Sequence, residues 1–279
     1  MAKREDRKKD RKIEEIADAL KKAGAVSQQP PEHAAYRFKF GDGIVTIYKS
    51  GSIVYGGKER DRDVLKSVVD TVLIGNVDKT PRIGCDEAGK GEYVGPLVVA
   101  CVYCDGPAVE ELIKMGVKDS KRLSDKKVCE LAEKIKQVAH GAVKVLMPQE
   151  YNKLYSKYKN LNRLLDSVYL SLIEKLVKKY KPLKVVVDKY GNSVEKRLRD
   201  CLPESVEIVV VERAEKDPVV AAASIIARAE RLKGCKMLEK KFGVSIPAGN
   251  SREEIVKFLK SVSKDMLTYL AKIHFNMNV

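Results

Sequence analysis

Carboxylates stand at three places in this chain where an acid is costly unless it binds something. Asp86 and Glu87 close an apolar run that begins at Arg82, and Ala88-Gly89-Lys90-Gly91 follows them. Asp188 closes Val185-Val186-Val187, a run apolar on both faces and so suited to the interior of a sheet. Glu215 and Asp217 precede the small, apolar stretch Val219–Ile226. Neighbouring strands lie about 4.8 Å apart, so acids at two adjacent strand ends can share a cation. Carboxylates without a histidine or thiolate beside them suit a hard ion such as Mg²⁺ or Mn²⁺. Two such ions about 3.5–4 Å apart activate a water and stabilise the leaving oxygen in phosphodiester hydrolysis. His33, His140 and His274 fall outside all these segments. Successive strand residues point to opposite faces, so Asp86 and Glu87 reach one site only if the strand ends or bulges there. Gly89 and Gly91 permit that, and they let backbone N–H groups approach a nucleic-acid backbone. Taken singly, each acid could equally cap the segment that follows it; their joint placement favours the metal reading.

The elements that must hold these acids are legible from periodicity. Apolar spacing at Ile13, Ile16, Ala17 and Leu20 predicts a helix over Ile13–Ala23, with a frayed charged start. Short alternating runs follow at Tyr36–Phe40, Ile44–Lys49 and Ser52–Tyr55, separated by Gly41-Asp42-Gly43 and Ser50-Gly51 turns. A second helix over Asp61–Ile74 closes this small unit, and Asn76–Thr80 reads as a linker. From Arg82 onward strands and helices alternate. Strands are expected at Arg82–Asp86, Leu97–Cys104, Ala142–Met147, Lys184–Asp188 and Val206–Glu212. The longer helices are expected at Asp125–Val138, Leu161–Tyr180 and Pro218–Phe242. Early strands on short connections and later helical crossovers predict an α/β layered fold with a mixed sheet.

The formal charge is +15, and the excess is spread along the chain: 17 basic and 13 acidic side chains in residues 1–80, 37 and 26 in the rest. Such an excess favours a polyanionic partner through counterion release. No apolar run approaches the length needed to cross a bilayer, and no apolar signal core follows the charged start, so a cytosolic, non-membrane protein is expected. The six cysteines fit that expectation as small hydrophobes. Cys101 and Cys104 form the one CxxC, but no second pair or nearby histidine completes a zinc site.

Several blocks in register resemble the type 2 ribonuclease H family. Gly84-Cys-Asp86-Glu87-Ala-Gly-Lys90-Gly-Glu-Tyr-Val-Gly-Pro-Leu-Val-Val-Ala100 is similar to its active-site signature, in the lysine-containing form of ribonuclease HIII. Val117-Lys-Asp119-Ser120-Lys121 resembles the family's Asp-Ser-Lys block. The stretch from Tyr151 through Asn160-Leu-Asn162 resembles a ribonuclease HIII helix start, and Ala221-Ala-Ala-Ser224-Ile-Ile-Ala-Arg228 its late small-residue helix. In the first 80 residues, Val45-Thr-Ile-Tyr48-Lys49-Ser50-Gly51 through Gly57 is similar to a TATA-box-binding-protein-like domain.

The resemblance implies a small α+β TATA-box-binding-protein-like domain over residues 1–76 that binds substrate. It implies a ribonuclease H-like catalytic domain, a mixed sheet flanked by helices, over residues 81–279. It further implies cleavage of the RNA strand of an RNA/DNA hybrid to 5′-phosphate and 3′-hydroxyl ends by a two-ion site of Mg²⁺ or Mn²⁺. Asp86, Glu87 and Asp188 match three of the family's four carboxylates. The fourth lies in an Arg213-Ala214-Glu215 triplet one residue out of the usual spacing, which makes Glu215 the choice and Asp217 the fallback. Substrate contacts are expected from Gly89, Lys90, Gly91, Ser120 and Lys121, with the ribose 2′-OH as the group that separates RNA from DNA. In the front domain Tyr48 and Lys49 are expected on the hybrid, with about half of the tyrosines Tyr36, Tyr48 and Tyr55 facing inward. Ala221–Ala223 and Ser224 are expected to pack a helix on the sheet. The segment Ser245-Ile-Pro247-Ala-Gly249-Asn250-Ser251 lacks the tyrosine with which ribonuclease HII reads single ribonucleotides. Rival readings are cleavage at such single ribonucleotides, or a catalytically idle hybrid binder. No protein partner is indicated, and a monomer is expected.

Overall fold

The computed structural model describes residues 2–75, 77–117, 123–247, 249 and 251–275. The chain divides into two compact units, residues 1–78 and 79–279.

In the front unit, helix α1 (Ala2–Lys22) precedes strands β1 (Val26–Gln28), β2 (Ala34–Phe40), β3 (Gly43–Tyr48) and β4 (Ile53–Gly57), and α2 (Glu59–Gly75) follows. The strands form an antiparallel sheet in chain order. Alternation assigns one face to Phe38, Val45 and Ile47, which are fully buried against Ile16 and Leu20 of α1 and Leu65 and Val69 of α2. The helix begins well before Ile13, because its charged first turns continue the same helical path. Strand β1 was not expected: three exposed residues carry no alternation to read.

The rear unit opens with β5 (Arg82–Ala88) and β6 (Leu97–Cys104), then α3 (Gly106–Lys114) and α4 (Asp125–Val138). After β7 (His140–Leu146) come α5 (Pro148–Tyr158), α6 (Leu161–Tyr180), β8 (Lys184–Asp188), α7 (Val194–Cys201) and β9 (Glu207–Val211). A 3-10 turn (Ala214–Lys216) leads into the long α8 (Pro218–Phe242), followed by α9 (Arg252–Ser261) and α10 (Lys264–Leu270). The sheet order is β7-β6-β5-β8-β9, antiparallel on the β6 side of β5 and parallel on the β8 side, which is the mixed sheet expected.

Helix bounds follow from caps. The Ser124 hydroxyl and the Asn160 side-chain oxygen accept from the N–H groups of Lys127 and Arg163, closing the first turns of α4 and α6. Gly243 ends α8 in the left-handed conformation. Odd-numbered residues of β5, Ile83 and Cys85, join the core under α6 with Tyr169 and Ile173. Even-numbered Gly84 faces α8 so closely that a Cβ there would lie 2.5 Å from the backbone of Val219 and Val220. Ala221, Ala222 and Ala223 are fully buried on α8, as expected of a helix packed on the sheet. Cys85 and Cys101 are register partners on β5 and β6, buried in the core with their sulfur atoms in contact. The pairing is set by strand register, which local spacing does not reveal.

Candidate active site

The last registered pair between β5 and β8 is Cys85 opposite Val187. Asp86 and Asp188 come next on their strands, so two acids stand side by side where the β5–β8 ladder ends. Strand β5 neither ends nor bulges at Glu87: its pairing with β6 runs regularly through Glu87 opposite Val99 and Ala88 opposite Val98. What ends is the β8 ladder, and beyond it β5 has an open edge. Asp86 turns to one face and is held by the Ser224 hydroxyl of α8. Glu87 turns to the other, where the Tyr169 hydroxyl of α6 donates to it. Both nevertheless line one pocket, beyond the point where the β8 ladder ends.

The pocket has a volume of about 440 Å³, and Asp86, Glu87, Asp188 and Glu215 all line it. Asp188 is oriented by the backbone N–H of Ala214, at 2.9 Å. The 3-10 turn after β9 brings Glu215 in. Asp217 does not line the pocket. One of its oxygens accepts from Val219 N at 2.8 Å to cap α8, and the other lies 2.8 Å from Nε of the buried Arg82. Arg228 and Arg231 of α8 line the pocket too, with Arg228 paired to Asp125 at 2.7 Å and Arg231 paired to Glu92.

Burial, and then the charge of Glu87 beside it, push the Asp86 carboxyl up to about 7. Burial pushes Glu87 up too, against the opposing pull of Lys90 and Tyr169. Two neighbouring acids that resist ionisation lack sufficient positive charge nearby, and a divalent cation would supply it. The four candidate ligands are all carboxylates, a donor set that fits a hard ion. Among the described residues no three His, Cys, Asp or Glu side chains form a cluster compact enough to hold an ion.

Of the expected substrate contacts, Gly89 lines the pocket, and its φ of +85° and the Pro96 carbonyl 2.4 Å from any Cβ there explain the glycine. Lys90 is turned inward: its Nζ lies 3.4 Å from Glu87 and donates to the Tyr190 carbonyl at 3.2 Å. The nearest under-compensated carboxylate has captured the ammonium. Gly91 is exposed at the turn. Ser120 and Lys121 lie outside the described residues. In the front unit Tyr36 and Tyr55 pack into the core, Tyr48 is half-buried and Lys49 is exposed. Nothing in the sequence singles out Tyr169, Arg231 or Glu92, and Ser224, expected to pack α8 on the sheet, also holds Asp86. A helical tyrosine and a helical arginine have no local signal that sets them apart from core and surface.

A family model described as Ribonuclease HII matches residues 83–278. Ribonuclease HIII of Chlamydia abortus is 32% identical over 273 residues, 93% of this chain and 91% of the relative. Ribonuclease HIII of Aquifex aeolicus is 35% identical over 240 residues, 85% of this chain and 86% of the relative. Among solved structures, that of Bst-RNase HIII in complex with Mn²⁺ matches with a TM-score of 0.66 at 28% identity, over 94% of this chain and 93% of that one. The structure of Aquifex aeolicus RNase H3 matches with a TM-score of 0.61 at 32% identity, over 95% and 97%.

Proposed function

The chain belongs to the ribonuclease HIII group of the ribonuclease HII family, and on that premise we propose that it is an endonuclease hydrolysing the RNA strand of RNA/DNA hybrids. The observation that carries the reading is the gathering of Asp86, Glu87, Asp188 and Glu215, distant in sequence, into one pocket. These four would hold the divalent ions. When bound, a pair of Mg²⁺ or Mn²⁺ ions activates water and stabilises the leaving oxygen in phosphodiester hydrolysis, leaving 5′-phosphate and 3′-hydroxyl ends.

The chain's own residues do the positioning. Ser224 and the Ala214 N–H hold Asp86 and Asp188 in fixed orientations. Arg228 and Arg231, although paired to Asp125 and Glu92, bring two guanidinium groups to the pocket lining that a phosphate could approach. The backbone of Gly89–Gly91 is free of side-chain bulk at the two glycines, which suits a test for the ribose 2′-OH at close range. Ser120 and Lys121 would add phosphate contacts. The front unit, through Tyr48 and Lys49, would add affinity without taking part in the chemistry. We take the protein to act as a cytoplasmic monomer.

The test is a cleavage assay on matched RNA/DNA, RNA/RNA and DNA/DNA duplexes and on DNA carrying one ribonucleotide, with and without Mg²⁺ or Mn²⁺. Metal-dependent cutting of the RNA/DNA duplex above all others is expected. Preference for the single ribonucleotide would move the activity to the ribonuclease HII type. Tight hybrid binding with no cleavage in either metal would make the protein an idle binder.

A further inference from the structure

Behind Glu87 lies a buried polar chain that the reaction itself does not call for. Tyr169 is fully buried in α6, and its hydroxyl donates to Oε2 of Glu87. Oε1 of the same carboxylate faces Lys90 Nζ at 3.4 Å. The ring of Tyr169 stacks on that of Tyr190, with centroids 4.7 Å apart and planes 20° from parallel. Tyr190 follows β8 by two residues, and its hydroxyl donates to Asp166 at 2.8 Å. Asp166 is itself buried and ion-paired to Arg197 of α7. Asp166 and Tyr169 are three apart on α6 and so share a face. Lys90 closes the arrangement, donating to the Tyr190 carbonyl at 3.2 Å with its ammonium 5.6 Å from the Tyr190 ring.

Three elements, α6, the end of β8 and α7, are thus tied to the orientation of one carboxylate. A buried tyrosine hydroxyl needs a partner, and the one that Tyr169 has is an acid of the pocket. An ionised carboxylate has about four lone-pair sites, so one bond from Tyr169 and one contact with Lys90 leave room on each oxygen for an ion. Partners of this kind behind metal-binding groups fix ligand orientation and raise affinity.

We propose that Tyr169 is a positioning residue that sets the Glu87 carboxylate for divalent-ion binding, with Tyr190, Asp166 and Arg197 as its support. The proposal rests on the reading of Glu87 as a metal ligand. Tyr169→Phe keeps the ring, the stack and the buried volume and deletes the one hydrogen bond. Mn²⁺ binding to the full chain, measured by calorimetry without substrate, should weaken roughly tenfold to a hundredfold in Tyr169→Phe. The Mn²⁺ concentration for half-maximal cleavage should rise in parallel. Tyr190→Phe, which loses only the bond to Asp166, should weaken Mn²⁺ binding by a smaller factor in the same direction. Glu87→Gln separates the two levels of the argument. If Glu87→Gln weakens Mn²⁺ binding and Tyr169→Phe binds within twofold of wild type while melting normally, the positioning role is refuted and the metal site stands. If Glu87→Gln also binds as wild type does, the metal reading of Glu87 falls and this proposal with it. In a Glu87→Gln background the further Tyr169→Phe change should do nothing more to Mn²⁺ binding, because the group it orients is gone.

Discussion

The two units bury different things. Among the described residues of the front unit, the one buried polar side chain is Thr46; the rear unit buries Arg82, Asp166, Arg231 and Lys272. The sheets differ to match. The front sheet has both its helices on one face, and on the other its strands carry Arg37, Lys39, Thr46 and Val54 at alternate positions. The rear sheet is covered by α6 on one face and α8 on the other, so its acids can meet solvent only at strand ends. Recognition of a polyanion asks little of a fold, because exposed basic groups cost almost nothing in stability. Chemistry asks for charges held in place inside the protein, and each must be compensated.

The sharpest way to break this contrast is to neutralise a strand-end acid. Asp86→Asn or Asp188→Asn should lower single-turnover cleavage of a hybrid by roughly 10³-fold or more, with hybrid affinity largely kept. Turnover within tenfold of wild type would remove that residue from the mechanism. The same Asp86→Asn change should raise the stability of the metal-free protein at pH 8. The Asp86 carboxyl is pushed up to about 7 in the fold, so its ionised form costs stability that grows as pH rises from the unfolded value to about 7 and stays in full above it. Removing it should be worth on the order of 1–2 kcal/mol, read as a higher melting temperature.

Next in size is the contrast within one turn of chain. Glu215→Gln should lower cleavage on the order of 10²-fold with little change in melting. Asp217→Ala should do the reverse. It strips the cap of α8 and the partner of buried Arg82, at a cost of about 2–4 kcal/mol, while cleavage per folded molecule persists. A catalytic collapse in Asp217→Ala without loss of stability would mean that Asp217, not Glu215, is the fourth ligand.

In the front unit single changes should be mild. Lys39→Ala with Lys49→Ala should weaken hybrid binding about threefold to tenfold near physiological salt and flatten the log–log salt slope by about one to two. Chemistry at saturating substrate should be unaffected. An unchanged slope would remove this unit from the nucleic-acid contact.

How much of this was legible depends on whether the determining contacts are local. Asp86, Glu87 and Asp188 announced themselves because each follows an apolar run that has to be a buried strand. Strands Leu97–Cys104 and Lys184–Asp188 and helices Asp125–Val138, Leu161–Tyr180 and Pro218–Phe242 came out with the expected bounds, since Ser124, Asn160, Asp217 and Gly243 are local punctuation. The family expected from the motifs is the one the relatives carry. What stayed hidden was pairwise. Tyr169 reads as one more apolar position on an amphipathic helix, and its partner Glu87 is 82 residues away. The Cys85–Cys101 pairing depends on a register, whereas local spacing marks only Cys101 and Cys104. The route by which Asp86 and Glu87 reach one pocket from opposite faces depends on where a neighbouring strand stops, which no feature of β5 records.

Lys272 offers the finest test of how the rear unit holds its buried polar groups. Its Nζ donates to the carbonyls of Glu92 and Gly95, at 2.5 and 2.9 Å, and so braces the turn that follows the acidic strand. It is fully buried, with Arg231, Cys235 and the Tyr151 ring around it. Burial first, and then the charge of Arg231, push the amine down to about 7. An unfolded lysine keeps its proton to about pH 10.4. Between those limits the unfolded chain binds the extra proton, so the folded state gains stability as pH rises from about 7 towards 10. Lys272→Met removes both the titration and the two hydrogen bonds. The stability of wild type relative to Lys272→Met should therefore grow between pH 7 and pH 9.5, by roughly 1–3 kcal/mol, or a few degrees in melting temperature for a unit of this size. A difference that stayed flat over this range would mean that the buried group is held as an ammonium, and that the turn is braced by a charge and not by a neutral amine.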